Sequence, residues 1–403
     1  MPNTVTSPSV LSLGSSQEQL DLIYLVAADA MPPSWLLRVI QAAGAPRRVI
    51  EGSPALLAEA SGVGADRIAR LIERTRDERL RLQAARDRKL CADRGIRLIG
   101  LDDLDYPPLL KATPEPPLLL WVWGESDPSD VYAASVLGSS KHSGYGAKQA
   151  RRFAAALSEH GVTLVNSGEV GIDTHAIDAA LEACGRVVVA LGAGLFAHGR
   201  DSRQDALYRR IVESGRGAVV SSVPVTTPPD TTNQVMGDYL VAGLAMGLLL
   251  VEAGAQSGAL IAARVARQQI RREVFALPGR IQDPLAEGNL RLIAEQSALL
   301  VTAPEDLLDQ LVNASQTLSH YIARSQPSLQ LRGRPSVSRD ALRVPLEEPD
   351  HKVLDHFIDS ISAGEIANRI GQPVRGVQTL LYRLALSGAM SKSGPRYRWV
   401  DDD

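Results

Sequence analysis

The chain has 403 residues, of which 45% are hydrophobic and 22% charged. At about one domain per 150 residues it calls for two or three domains, and the composition excludes whole-chain disorder, collagen and coiled-coil fibres. The 43 Lys and Arg against 46 Asp and Glu leave a net charge of -3, so any nucleic-acid contact must come from a local patch.

Residues 1–16 are rich in Ser, Pro and Thr without a period, and read as disordered. No basic stretch leads into an apolar core there, which argues against secretion, and the longest apolar run, Leu240 to Ala255, is too short to span a bilayer. The expected location is cytoplasmic, with no membrane contact. Cys91 and Cys184 are too few for a disulfide framework or a metal site, so no metal and no cofactor is expected.

Residues 17–95 carry apolar residues at three- and four-residue spacing, broken at Pro32-Pro33, Gly44-Ala45-Pro46 and Gly52-Ser53-Pro54. This predicts a small helical domain. Ile96 to Ile99 and Leu118 to Trp123 read as strands around a Pro-rich stretch. From Ala133 short apolar runs alternate with helix-length amphipathic stretches: Val136-Leu137, Thr163 to Val165, Val187 to Leu191, Ala218 to Val220, Leu248 to Val251 and Val274 to Leu277. Unalternated runs joined by helices indicate an α/β fold with a mostly parallel sheet covered on both faces. The core is placed at 96–312, a Ser/Arg/Pro-rich linker at 313–348 and a last small domain at 349–403.

Ligands of such sheets sit beyond the carboxyl ends of the strands. The first of these turns, Gly138-Ser139-Ser140-Lys141 through Gly144 and Gly146, opens a helix and offers backbone N–H groups suited to phosphate. It is neither a Walker loop nor a strict dinucleotide fingerprint. Ser167, Gly168, Gly171 and Asp173 follow the second strand; Asp173 is also placed to cap the next helix. Gly192 and Gly194 follow the third. Glu252, Ser257 and Gly258 follow a later strand, where a carboxylate and a Ser-Gly turn suit a sugar hydroxyl and a phosphate. With Pro278-Gly279 closing another strand, five glycine-bearing turns on one edge point to a phosphate-binding rim, and no complete catalytic constellation accompanies them.

These stretches resemble the DNA-processing protein A (DprA/Smf) family in order and spacing: Gly144-Tyr145-Gly146, Ser167-Gly168 through Asp173, Leu191 to Leu195, Val251-Glu252-Ala253, Ser257 to Leu260, and Pro278-Gly279. The resemblance implies a Rossmann-like core with an N-terminal SAM-like, helix-hairpin-helix domain and a C-terminal winged helix. It implies a non-catalytic protein that binds single-stranded DNA, loads a RecA-type recombinase in transformation and recombination, and dimerises through the core. The chain departs from the family where arginines are expected, at Ser140, Gly237 and Tyr239, and where a histidine is expected, at Ile177. The family Tyr-Pro falls on Gly199-Arg200 and its Ser-Glu on Ser221-Ser222. Lys141 and Arg200 stand near enough in sequence to replace part of the lost charge. Arg264, Arg267 and Arg271, at helical spacing, would share one face.

At the flanks, Gly62-Val63-Gly64 reads as the hairpin between two helices. Near the C-terminus, Val353 to Ile358 predicts a helix, Ser362 with Glu365 a capping box, and Val377, Leu380, Leu381 and Leu384 an apolar helix face, followed by a two-stranded wing. Arg375, Gln378 and Arg383, with wing residues Lys392, Arg396 and Arg398, would be its DNA-facing candidates. Two other functions fit the same framework. One is a nucleotide-binding or nucleotide-hydrolysing Rossmann enzyme, for which a Pro-Gly-Gly-x-Gly-Thr loop is missing. The other is a winged-helix transcription regulator.

Overall fold

The computed structural model describes residues 11, 13, 16–197, 202–325, 361–386, 389–394 and 396–399. The chain forms two compact units, Met1–Ser126 with Val189–Leu240, and Asp127–Val188 with Val241–Asp403.

The first unit opens with six helices: α1 (Ser16–Ala27), α2 (Pro33–Ala43), α3 (Pro46–Glu51), α4 (Pro54–Ser61), α5 (Ala65–Thr75) and α6 (Glu78–Arg94). Proline starts three of them, where its missing N–H and fixed φ cost nothing. Gly44, Gly62 and Gly95 end α2, α4 and α6 in the left-handed conformation, at φ 80, 69 and 65°. Leu22, Ile23, Val39, Ile40, Ile68 and Leu71 are fully buried and form the helical core. Each such side chain contributes about 1.5–3 kcal/mol of burial free energy.

Two antiparallel strands follow, β1 (Ile96–Gly100) and β2 (Leu119–Gly124), in register from Ile96 opposite Trp123 to Gly100 opposite Leu119. The short α7 (Pro108–Lys111) joins them. β2 also pairs antiparallel with β6 (Gly217–Ser221), and β5 (Val187–Leu191) lies on the far side of β6. Helices α10 (Ser202–Glu213) and α11 (Thr231–Leu244) precede and follow β6.

The expectation of disorder over 1–16 needs correction at its end. Leu11 is buried; its N–H donates to Asp102 at 3.1 Å and that of Leu13 to Asp103 at 2.9 Å. Helix α1 starts at Ser16. The polar composition concealed two apolar anchors, while residues 1–10 lie outside the described set.

In the second unit the strands are β3 (Ala133–Leu137), β4 (Thr163–Asn166), β7 (Gly247–Leu250), β8 (Glu273–Ala276) and β9 (Leu299–Leu300). Their order is β4-β3-β7-β8-β9 and every pairing among them is parallel. The crossovers are α8 (Gly144–Glu159) after β3, α9 (Ile172–Glu182) after β4, α12 (Ala259–Arg264) after β7 and α13 (Glu287–Ala294) after β8. The fold is mixed α/β with a mostly parallel, Rossmann-like sheet. Strands covered on both faces are near-continuous apolar runs, and β3, with Ser135 as its polar residue, and β7 are buried throughout.

Helix α14 (Pro304–Ser325) runs through the first third of the stretch read as linker, so that segment cannot start at 313. Its buried apolar residues Leu307, Leu308, Leu311 and Val312 fall in the stretch assigned to the core, and past 312 the Ser and Thr content hid the helix's continuation, in which Ala314 is buried. The expected helix at 353–358 lies outside the described residues. Beyond it come β10 (Ile361–Ser362), α15 (Ala363–Ile370), α16 (Val374–Leu386) and the hairpin β11 (Met390–Ser393) with β12 (Arg396–Trp399). The three strands form one sheet in the order β10-β12-β11. Ser362 and Glu365 make the capping box, each side chain bonded to the other's backbone N–H. Among the described residues no helix is long and apolar enough to cross a membrane.

Candidate functional site

The chain leaves β3 towards β4 on one side, and later places β7 on the other side of β3. The carboxyl ends of β3 and β7 therefore flank a topological switch point, where open parallel sheets bind ligands. Three loops meet there, 138–143 after β3, 167–171 after β4 and 251–258 after β7, all within the second unit.

Glu252 organises the first of them. It is 5% exposed, and its carboxylate accepts from Ser143 N–H (2.8 Å, Oε2) and Ser143 Oγ (2.6 Å, Oε1). Its carbonyl accepts from Ser139 N–H at 2.7 Å. Ser143 Oγ in turn accepts from Gly146 N–H at 3.0 Å and caps α8. A Cβ on Gly146 would lie 2.2 Å from Glu252 Oε2, which is why the position is glycine. The sequence suggested that Glu252 meets a sugar hydroxyl. Its carboxylate is instead turned inward and engaged by the β3 loop.

A second carboxylate holds the β4 loop. Asp173, 3% exposed, accepts from Ser167 Oγ (2.6 Å) and Ser167 N–H (3.2 Å). Burial outweighs these bonds and raises its pKa to about 7. Gly171, at φ 122°, lies against the first loop: a Cβ there would be 2.6 Å from both Ser139 O and Ser140 Cα. The two loops thus form one packed rim. Gly138 faces Ile172 and the Glu252 carbonyl with equally little room, and Gly168 is buried.

The outer surface of this rim differs from its interior. Ser140, Lys141 and Gly144 are exposed, and Gly144 and Gly258 have open space where a Cβ would stand. Ser257 Oγ accepts from Ala259 N–H at 3.4 Å at the start of α12. His142 and His175 meet edge-on at 4.8 Å beside Lys141; burial and the neighbouring His142 lower the pKa of His175. The rim so presents hydroxyls, the open backbone at Gly144 and the Lys141 ammonium outward, with the carboxylates of Glu252 and Asp173 inside and that of Glu169 exposed on the β4 loop. Such a surface binds an oxyanion by hydrogen bonding. Among the described residues no three His, Cys, Asp or Glu side chains converge on a metal position.

Three residues that sequence reasoning passed over support the rim. Asn166 pairs with β3 as a peptide group would, accepting from Val136 N–H (3.2 Å) and donating to Val136 O (2.7 Å). Asn289 Nδ2 donates to Leu250 O, Val251 O and Leu277 O at 3.0–3.1 Å and ties the ends of β7 and β8 together. Ser143 is the third. For Asn166 the local signal is a polar residue at a strand end; Asn289 lies within α13 and has none.

The other predicted site residues divide. Gly192 and Gly194 belong to the first unit, where both are sites of close packing: Cβ atoms would stand 2.4 Å from Asn233 O and from Pro224 O. Gly237, at a position where the resemblance expects arginine, has Gly192 N 2.5 Å from any Cβ, so the backbone leaves no room for a side chain. Tyr239, at another such position, is buried and accepts from Glu115 N–H at 2.9 Å. Arg200 lies outside the described residues. Arg264, Arg267 and Arg271 do not share a helix face, because α12 passes into a π turn at Val265–Ile270 and Arg271 is left-handed at φ 62°. Arg151 pairs with Glu182, Arg267 with Glu273, Lys392 with Asp309 and Arg396 with Glu365. The side chain of Arg383 lies along Gly161. Arg151, Arg267, Lys392 and Arg396 are thus each engaged by a carboxylate.

Residues 97–312 match the family model described as DNA recombination-mediator protein A. The chain is 38% identical over 293 residues to protein Smf of Escherichia coli K12, covering 72% of this chain and 74% of that protein. It is 34% identical over 240 residues to a putative DNA processing protein DprA of Mycobacterium tuberculosis, covering 56% and 60%. The crystal structure of DprA from Streptococcus pneumoniae superposes with a TM-score of 0.60 at 25% identity, covering 74% of this chain and 98% of that one. The family model spans more than half of the sequence and takes in the glycine-bearing stretches on which the resemblance rested: this chain belongs to the DprA/Smf family of DNA recombination-mediator proteins.

Proposed function

We propose that the chain is a non-catalytic single-stranded DNA-binding protein that delivers the strand to a RecA-type recombinase in DNA-mediated transformation and recombination. It works in the cytoplasm as a homodimer through its core, with an N-terminal SAM-like module (α1 to α6) and a C-terminal winged helix (β10 to β12). The observation that carries this reading is the orientation of charge at the β3/β7 switch point. Glu252 and Asp173 point inward onto loop donors, whereas Lys141 and the open backbone at Gly144 point outward. A phosphodiester at the β3 loop then meets donors without facing the carboxylate of Glu252 or Asp173, the exposed Glu169 lying on the neighbouring β4 loop. The phosphate contacts proposed at Ser139, Ser140, Lys141, Gly144, Ser257 and Gly258 follow from this arrangement.

A labelled oligonucleotide titrated over a salt series tests it. Single-stranded binding should weaken steeply with salt, and Lys141→Ala should reduce the slope of log K against log salt by about 0.7, the value of one phosphate contact on a single strand. An unchanged slope removes Lys141 from the interface. Absence of oligonucleotide binding in dilute buffer, or release of free base from a nucleoside monophosphate, would overturn the whole reading.

A further inference from the structure

The helical part of the first unit carries a cationic cluster that the strand-tip rim does not use. Helix α2 begins at Pro33, and its first turn is fixed because Ser34 donates through N–H (2.8 Å) and Oγ (2.6 Å) to the Glu115 carboxylate. The next residue, Trp35, is half-buried. Arg38, one turn on, places its guanidinium 5.9 Å from the Trp35 ring centroid, and Arg67 of α5 reaches the same ring at 4.6 Å. Both arginines are exposed, and among the described residues neither forms an ion pair with a carboxylate. Arg70 stands exposed one turn beyond Arg67. Gly62 and Gly64, which lead into α5, have open space at their Cβ positions.

Residues 33–75 contain six arginines and four acidic residues. Arg47 is matched by Glu51 and Arg74 donates to Asp29 O, while Asp66 and Glu73 lie exposed on α5 without an ion pair to Arg38 or Arg67. A guanidinium stacked on an indole keeps its in-plane N–H edge free, and that fork matches phosphate oxygens. The stacking also fixes the class of ligand atom. With guanidinium groups against it, the Trp35 ring is not free to stack on a base, so the cluster offers sequence-independent contacts to the backbone.

We infer that Arg38 and Arg67, held by Trp35, form a second contact for the phosphodiester backbone of single-stranded DNA; this rests on the reading that the chain binds such a strand. The contact belongs to the helical module and is separate from the loops at the β3/β7 switch point.

The experiment uses the full-length protein, a labelled single strand longer than one binding site, and a duplex of the same sequence, over a salt series. For Arg38→Gln with Arg67→Gln the single-strand slope should fall by about 1.4, two contacts at about 0.7 each, with the melting temperature unchanged. Trp35→Phe, which keeps a ring under the guanidinium groups, should retain most of the slope, and Trp35→Leu should lose part of it. Ultraviolet cross-linking of the bound strand should label the peptide carrying Trp35 or Arg38. A double variant with the wild-type slope, while Lys141→Ala still lowers it, overturns this contact and leaves the rim intact. A loss confined to the duplex overturns the assignment to a single strand. A wild-type protein that binds neither polymer overturns both readings.

Discussion

Ser143 gives both of its hydrogens to one carboxylate: its N–H lies 2.8 Å from Glu252 Oε2 and its hydroxyl 2.6 Å from Oε1. The two residues are separated by 109 positions in sequence. This contact sets the shape of the β3 loop, because the same hydroxyl accepts from Gly146 N–H and starts α8. Glu252→Ala leaves the part-buried N–H and hydroxyl of Ser143 without this acceptor, and should cost about 1–3 kcal/mol in thermal or urea unfolding. Glu252→Gln keeps the shape and one good acceptor and should cost less, about 1 kcal/mol. If Glu252→Ala leaves both stability and oligonucleotide affinity unchanged, the carboxylate does not organise the loop.

Asp173 predicts a pH dependence. Its pKa is raised from 3.8 to about 7, with burial as the largest cause. A carboxyl group with a higher pKa folded than unfolded binds more protons in the native state over that interval. Stability therefore declines as pH rises from about 4 to about 7, and the decline ends above it. Asp173→Asn cannot ionise and its side-chain oxygen can still accept from Ser167. Relative to wild type, the variant should gain stability progressively between pH 4 and 7, seen as a rising difference in melting temperature. A difference that is flat across this range means that Asp173 is already ionised in the fold at acidic pH.

The sequence disclosed the strand tips but not what holds them. β3, β7 and β8 carry short apolar runs leading into glycine, glutamate or proline, and the sheet's parallel order follows from such runs alternating with helices. The glycines were legible for the same reason: Gly138, Gly146 and Gly171 stand where another chain segment lies within 3 Å of any Cβ. Partners remote in sequence left no trace, as with Ser143 and Glu252, or Asn289 and the carbonyls of Leu250 and Val251. The direction of Glu252 was misread for that reason, since a carboxylate at a strand tip looks the same in sequence whether it faces ligand or loop. Composition misled at two places where apolar residues sit in a polar context, Leu11 beside Asp102 and the α14 stretch past 313. The π turn after Arg264 broke the three-to-four-residue rule used to align the arginines.

Of the three positions where the resemblance expects arginine, Ser140 can accept it and Gly237 cannot. Ser140 is exposed on the rim, so Ser140→Arg should be tolerated and should raise the single-strand salt slope by about 0.7. Gly237 packs against the backbone of Gly192 with 2.5 Å available, so Gly237→Arg forces α11 away from β5 and should cost about 1–3 kcal/mol without improving binding. Melting curves and oligonucleotide titrations of the two variants give opposite orders if the packing at Gly192 is as described. Equal behaviour would mean that α11 yields freely at that point.

Asp309 on α14 anchors the C-terminal module. It accepts from the Tyr382 hydroxyl on α16 and pairs with Lys392 of β11 at 2.7 Å. The Lys392 ammonium also lies 5.4 Å and 5.8 Å from the Tyr382 and Tyr397 rings, and His160 meets Tyr382 edge-on at 5.2 Å. Lys392 is only 10% exposed, so removing its partner leaves a largely desolvated ammonium, a more severe loss than that of a surface ion pair. Asp309→Ala should therefore loosen the module and speed amide exchange across 374–386, with exchange in β3 and β7 unaltered. Tyr382→Phe, which removes one hydrogen bond and keeps the ring, should have a smaller effect of about 1 kcal/mol. If Asp309→Ala leaves exchange in α16 at the wild-type rate, apolar contact between α14 and α16 holds the module without the ion pair.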